Sequence, residues 1–382
     1  SARATLTEIA QAIDADSLPE AEKKTTLSGY AALKSLIIKT ADFAAANSGD
    51  GFFSLFSEVF DRKKLDKIYI LRGGPGTGKS TLMKKIGRRG EDEGFTVHYI
   101  PCSSDVSSLD GVIIPEKAVA VFDGTAPHSA EPKYPYAAEV TAELYGGLGE
   151  GVLRGKRAEI IALTDHAALE SAAAYEYLFA AAKMKREALY CVRRCFDGTK
   201  AARAAKREVS ALSAGGEEKR RFISSVDCDG MKTLDTYKKL AKTKTAVTDK
   251  FGLGYEFMRL LLASAREKGA LCTRFSDPIA PELTEALWFE NDKVYFFIDR
   301  TENEECDKKL NIMRFVSREK LRESRQKLRF AARCEEALTC GAVKCFGVAR
   351  KDHDALESIY SDAMDFRFAD ITAERIIAEI FD

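Results

Sequence analysis

The chain has 382 residues, 45% hydrophobic and 31% charged, with 59 Lys and Arg balanced by 59 Asp and Glu. This length accommodates two ordinary domains, each with its own core, and zero net charge argues against a protein that coats nucleic acid over its whole surface. No apolar run reaches the roughly eighteen residues that a transmembrane helix needs, and the opening residues lack the basic segment and apolar core of a secretory signal.

The nine cysteines are scattered, odd in number and free of any Cys-x-x-Cys pair, and only four histidines accompany them. Reduced thiols in a cytoplasmic protein are expected, with neither disulfides nor structural zinc. Residues 1–42 carry no motif and are set apart as an N-terminal extension.

The first informative segment is the apolar, β-branched run over 67–71, which predicts a buried parallel strand. It leads into Gly73-Gly74-Pro75-Gly76-Thr77-Gly78-Lys79-Ser80, which fits Gly-x-x-x-x-Gly-Lys-[Ser/Thr] without a gap. Leu82, Met83 and Ile86 then recur at helical spacing. A strand, a glycine turn and a helix aim successive N–H groups and a helix N-terminus at one point, where phosphate oxygens are stabilised. In that geometry Lys79 is expected on the β- and γ-phosphates, Ser80 on Mg²⁺ and Thr81 near the α-phosphate.

A second strand is expected over 96–100 and a third over 118–123, ending in Asp123. An acid at the carboxyl end of a parallel strand faces the ligand crevice, so Asp123 is expected to hold Mg²⁺ through water. Gly124 follows it, where motor-type ATPases of this fold usually place a catalytic Glu. A base must then come from Asp105, Asp110, Glu116 or His128, with Asp105 and His128 preferred; His98 lies inside a strand and reads as packing.

Comparing the chain with itself points to a duplication. Phe43 and Gly51-Phe52 match Phe222 and Gly230-Met231 at an offset of 179, Lys63-Lys64-Leu65 matches Lys238-Lys239-Leu240 at 175, and the strand ending at Asp123 matches one ending at Asp299 at 176. Aligning Gly76-Thr77-Gly78 with Gly252-Leu253-Gly254 places Tyr255 and Glu256 where the first loop has Lys79 and Ser80. A carboxylate there opposes bound phosphate, so one nucleotide site per chain is expected. The second half then serves to cover the first, to bind a partner or to sense the nucleotide state.

Long helices are expected over 158–194, 317–338 and 353–366. From Lys183 to Arg221 twelve Lys and Arg face five Asp and Glu, a net of +7 that reads as a solvated face or as a docking surface for an acidic partner. Residues 213–221 are expected to link a first domain, 43–212, to a second, 222–382.

Three stretches together carry a family resemblance: the loop and helix over 73–87, residues 102–128, and the distal 353–366. In these the chain resembles bacterial tandem P-loop ATPases from about Phe43 onward, and departs from them in its second loop, since both are often intact in that family. The resemblance implies nucleotide at Gly73 to Thr81 and magnesium at Ser80 and Asp123.

The expected fold is α/β: a tandem of P-loop NTPase repeats with largely parallel sheets, flanking helices and helical insertions. Mg²⁺-dependent ATP binding, with hydrolysis driving a conformational switch, is the favoured activity. ATP is preferred to GTP because no Asn-Lys-x-Asp motif occurs. A kinase acting on a small molecule or nucleotide, and a nucleotide-gated module holding an acidic partner, are the alternatives.

Overall fold

The computed structural model describes residues 39–126, 131–248, 251–300 and 304–382. The first half begins with the edge strand β1 (Lys39–Ala41) and a hairpin of β2 (Ala45–Ser48) and β3 (Gly51–Ser54). Next come β4 (Lys67–Arg72), the helix α1 (Lys79–Asp92), β5 (Val97–Pro101), β6 (Leu109–Ile114), β7 (Val119–Asp123) and β8 (Glu139–Glu143). Two long elements close it, α2 (Arg157–Arg193) and α3 (Gly198–Val209).

The second half repeats this order. It has β9 (Lys219–Arg221), a hairpin of β10 (Ser224–Asp227) and β11 (Gly230–Thr233), β12 (Thr243–Thr248) and the helix α4 (Leu253–Lys268). The strands β13 (Thr273–Ser276), β14 (Thr284–Phe289), β15 (Val294–Asp299) and β16 (Lys308–Asn311) follow, then α5 (Arg318–Asp362) and α6 (Phe366–Phe381). The six-stranded sheets run β1-β5-β6-β7-β4-β8 and β9-β13-β14-β15-β12-β16, the same order element for element. In each, one strand, β6 or β14, is antiparallel to both neighbours and the other pairings are parallel. The chain is therefore α/β, with two mixed, mostly parallel sheets related by a duplication.

The halves meet about a pseudo-two-fold axis. Phe43 and Phe222, equivalent in the repeat, exchange backbone hydrogen bonds at 2.8 and 3.1 Å. Asn47 donates to the carbonyl of its own counterpart, Val226, at 2.8 Å. The long helices α2 and α5 cross as an antiparallel pair, tied by His166 to Asp352 at 2.7 Å and, farther along, by Lys185 to Glu335 at 3.4 Å. Helix α5 is continuous where two separate helices were expected. Gly341 and Gly347 lie within it, and Gly341 permits close packing, because a Cβ there would lie 2.8 Å from the ring of Tyr177 on α2.

At their far ends the long helices deliver the last helix of each half to the other half. Helix α6 packs on α1, so that Ala369, Ala373, Ile376 and Ile380 share one core with Tyr69, Leu71, Leu82, Met83 and Ile86. Lys85 on α1 pairs with Asp370, and Glu379 accepts from Tyr69 Oη at 2.7 Å. Reciprocally, α3 packs on α4, and Ala201, Ala204, Ala205 and Val209 share a core with Leu253, Phe257, Met258 and Leu261. The expected domains at 43–212 and 222–382 are corrected accordingly: residues 198–209 complete the second core, residues 366–381 complete the first, and the expected linker contains β9. Amphipathic helices rich in alanine and isoleucine dock wherever a matching apolar face is presented, and helices of 37 and 45 residues are long enough to carry them there.

One buried charge lies on the axis. Asp42, 1% exposed, accepts from Tyr237 Oη at 2.6 Å and faces His98 Nε2 at 3.1 Å and Arg221 Nε at 3.4 Å. Arg221 is the counterpart of Asp42 in the repeat, so the duplicated position carries opposite charges in the two halves. Burial alone would raise the Asp42 carboxyl, but His98, Arg221 and Tyr237 together hold it below its ordinary value. All nine cysteines are unpaired. Among the described residues no helix is long and apolar enough to cross a membrane.

Two measurements check this arrangement. Asp42→Asn, which leaves Arg221 buried without its counter-charge, should cost about 3 kcal/mol in urea unfolding at pH 7. Because the folded carboxyl sits below its ordinary value of 3.8, the stability it adds is complete above that pH. The gap between parent and variant should therefore narrow as pH falls through the lowered folded value; an equal gap at pH 7 and pH 3 would show that the charge is immaterial. Ile376→Ala should cost about 2–5 kcal/mol through lost burial and the cavity left behind, and a neutral result would place α6 outside the first core.

Candidate functional site

Strand β4 is buried from Ile68 to Leu71, as a central parallel strand without side-chain alternation should be. Its neighbour β7 runs parallel with Leu71 opposite Asp123, so the strand ends place Asp123 beside the turn that begins at Gly73. That turn needs glycine where φ is +70° at Gly76 and +88° at Gly78. Thr77 braces it by donating its hydroxyl to Gly74 O at 2.9 Å. Helix α1 starts from Gly78 with no side-chain cap and no acid in its first turn, so its leading N–H groups and positive dipole end face the turn.

Lys79 curls back over the loop and donates to Gly73 O at 2.6 Å and Gly74 O at 2.8 Å, with Asp123 Oδ2 at 3.6 Å. Burial lowers the Lys79 ammonium pKa despite Asp123 and Glu357, and burial raises the Asp123 carboxyl despite Lys79 and Thr125. Both shifts disfavour charge, so desolvation outweighs the pair's mutual attraction. Thr125 donates its N–H to Asp123 Oδ1 at 2.8 Å and its hydroxyl to Gly73 O at 2.9 Å, stitching the end of β7 to the loop. Ser80 Oγ accepts from Leu109 N at 3.0 Å, which brings the start of β6 alongside the start of α1. Asp110, next in the chain and 4% exposed, lies close enough to help raise the Asp123 carboxyl. Thr81 is exposed on the first turn of α1.

The candidate bases separate. Asp105 accepts from Ser107 N at 3.0 Å and Ser107 Oγ at 2.7 Å, and pairs with Arg350 of α5 at 3.1 Å. Burial would raise its carboxyl, but Ser107 and Arg350 hold it below its ordinary value. A carboxylate so engaged anchors α5 and is a weak proton acceptor. Glu116 sits in the turn before β7, at the opposite end of that strand from Asp123, and accepts from Thr96 N at 3.0 Å; it is removed from the crevice. His98 faces Asp42 on the pseudo-two-fold axis. His128 lies outside the described residues.

The second half supplies residues that local sequence patterns could not reveal. Ser361 near the end of α5 donates to Gly76 O at 3.2 Å. A Cβ on Gly76 would lie 2.4 Å from Glu357 O, and one on Gly74 would lie 3.1 Å from the ring of Tyr360. Phe366, at the start of α6, stands 3.8 Å from where a Cβ on Gly78 would be. The turn between α5 and α6 therefore lies over the glycine loop. No signal within residues 353–366 tells which surface they cover.

The equivalent crevice of the second half is closed by charge. Helix α4 begins from Gly252 at φ +83°, the counterpart of Gly78. Leu253 and Gly254, rather than Tyr255 and Glu256, thus occupy the positions of Lys79 and Ser80, a two-residue correction that leaves the cation missing. Asp277, 0% exposed, accepts from Tyr255 Oη at 2.5 Å, Lys185 Nζ at 2.8 Å and Arg300 at 3.1 Å. Arg300 also bonds Glu285 at 2.9 Å. Burial would raise the Asp277 carboxyl, and Lys185 and Arg300 instead hold it low. Glu256 pairs with Arg193. Lys185 and Arg193 both come from α2, so the first half fills the second crevice from outside.

Compared with known protein families, curated proteins and solved structures, the chain matches none. The arrangement itself yields a test. Gly76→Ala combines a disfavoured φ with a collision against backbone rather than a flexible side chain. It should cost about 1–3 kcal/mol in unfolding and expose the turn between α5 and α6 to faster amide exchange. Unchanged exchange over 357–366 would mean that the loop does not seat that turn.

Proposed function

We propose that the first half binds the triphosphate of ATP with Mg²⁺ and hydrolyses it, and that the state of the γ-phosphate is passed to the second half through the turn between α5 and α6. The observation that carries this reading is the uncapped start of α1 behind a positive-φ glycine turn, with Lys79 and Asp123 3.6 Å apart beside it. Loop N–H groups and the helix dipole favour phosphate oxygens there. Lys79, drawn away from the Gly73 and Gly74 carbonyls, meets the β- and γ-phosphates, and anionic oxygens restore the charge that burial disfavours.

Asp123 and Asp110 suit a hard cation, being nearby carboxylates, one half-buried and one buried, whose mutual repulsion favours positive charge between phosphate and protein. Ser80 Oγ and Asp123 would hold Mg²⁺, which supplies charge stabilisation to the oxygens of the transferring phosphoryl group. Thr125 keeps Asp123 aimed while the loop adjusts. Tyr360 and Phe366 offer aromatic surface beside the loop on which a purine stacks, and Phe366 is 45% exposed.

Transfer to an acceptor other than water is a second reading, favoured by one feature. Gly124 follows Asp123 and spends its N–H on Leu71 O at 2.8 Å. The position therefore has no carboxylate to orient water.

Titration calorimetry with Mg·ATP should give one site in the parent, weakened about a hundredfold or more in Lys79→Ala, where charge-assisted hydrogen bonds are lost. Asp123→Asn should keep binding and lose turnover by about 10²–10³-fold. With γ-labelled ATP, label released as free phosphate supports hydrolysis, and label on an acceptor from cell extract supports transfer. A parent chain that binds no Mg·ATP overturns both.

A further inference from the structure

A half-open cleft of about 560 Å³ lies on the second half, bounded by α3 and by the short turn Ile312–Phe315 that follows β16. Its wall is cationic: Lys200, Arg203 and Arg207 from α3, and Arg314 from the turn. The spacing of 200, 203 and 207 puts the three side chains on one face of α3, while Ala201, Ala204 and Ala205 are buried on the other. Lys200 is paired with Asp197 at 3.1 Å. Among the described residues, Arg203, Arg207 and Arg314 are exposed and have no carboxylate within ion-pair distance. Like charges one helical turn apart are mildly destabilising, so three guanidinium groups with no carboxylate in ion-pair contact make this concavity a place where an anion from outside is stabilised.

The duplication sharpens this. In the first half the matching place lies between α6 and the turn Tyr145–Gly147 after β8, where Phe368 and Met364 pack against Gly146 and Gly147. The same helix-and-turn contact thus occurs twice, once packed with Phe368 and Met364 and once opening into a cleft walled by cations. Tyr255, Arg300 and Lys185 are engaged with one another and with Asp277 and are not among the residues that line the cleft.

We infer that the cleft of Lys200, Arg203, Arg207 and Arg314 is a second ligand site, which takes a small anion carrying two or more phosphate groups. Guanidinium forks match phosphate oxygens two at a time. The volume lies in the range of small-molecule sites. A single-stranded nucleic acid fits less well, because such grooves rely on exposed aromatic faces for base stacking. Phe315, the aromatic residue lining the cleft, is 6% exposed, with its ring packed on Phe257 and covered by Arg314.

The test uses the full chain carrying Lys79→Ala, so that binding at the first loop is weakened about a hundredfold, and inorganic tripolyphosphate without magnesium as the probe. Calorimetry should show one saturable site. Adding Arg203→Ala and Arg207→Ala should weaken it about a hundredfold, roughly tenfold for each lost charge-assisted contact. The pair Arg203→Lys and Arg207→Lys, which keeps the charge and loses the forks, should fall between. Far-ultraviolet circular dichroism confirms that each variant is folded. A ten-residue oligothymidylate should bind more weakly than tripolyphosphate. Absence of a saturable site, or binding indifferent to both arginine pairs, overturns the inference; tighter binding of the oligonucleotide through the same arginines reassigns the cleft to nucleic acid.

Discussion

The packing of α6 against α1, and of α3 against α4, decides what the rest of the molecule can do. A mixed sheet with one face uncovered would leave Tyr69, Leu71 and Val121 open to water on one side, at a cost of about 25 cal/mol for each Å² of apolar surface. Each half avoids that cost by borrowing the last helix of the other. Once the exchange is made, the ends of the long helices must lie at the ends of the sheets, which is where the two glycine turns open. The cover over the first loop and the plug in the second crevice both follow from this geometry.

The two crevices also show how a duplicated fold divides its labour through charge. In the first, the loop keeps Lys79 and an uncapped helix start, and the opposing segment brings Tyr360, Ser361 and the backbone of Glu357. In the second, Leu253 follows the glycine cap where the first has Lys79, and α2 brings Lys185 and Arg193 to Asp277 and Glu256. A buried carboxylate left alone would be costly, so the carboxylates of the second crevice and the cations supplied by the other half belong together. The Asp42 and Arg221 pair is the same logic on the axis itself, where equivalent positions become complementary.

Much of the first site is legible in the sequence because its determinants are local. Eight consecutive residues define the loop, and flanking apolar spacing supplies the strand and helix. Even Asp123 follows from a strand end. The repeat is legible as well, since equivalent residues such as Phe43 and Phe222 keep their spacing. The exchange of α3 and α6 is not, because the alanine and isoleucine faces of these helices fit either partner equally well by pattern. The register at Gly252 slips by two residues because two glycines compete for one role, and only the positive φ at the helix cap decides between them. Glu116 looks near in sequence to Asp123, yet β7 carries the two to opposite ends. Contact between residue 76 and residue 361 leaves no trace in any short window.

The borrowed helix has a further consequence, for biosynthesis. The core beneath α1 lacks its cover until residues 366–381 are made, some 270 residues after α1. A nascent first half emerging from the ribosome can form β4, α1 and β7, but Leu82, Met83 and Ile86 remain without their partner for most of translation. Contacts so distant in sequence form slowly. The face that receives α6 is the same in every copy of the chain, so exchange of this helix between copies is the hazard that such an arrangement carries.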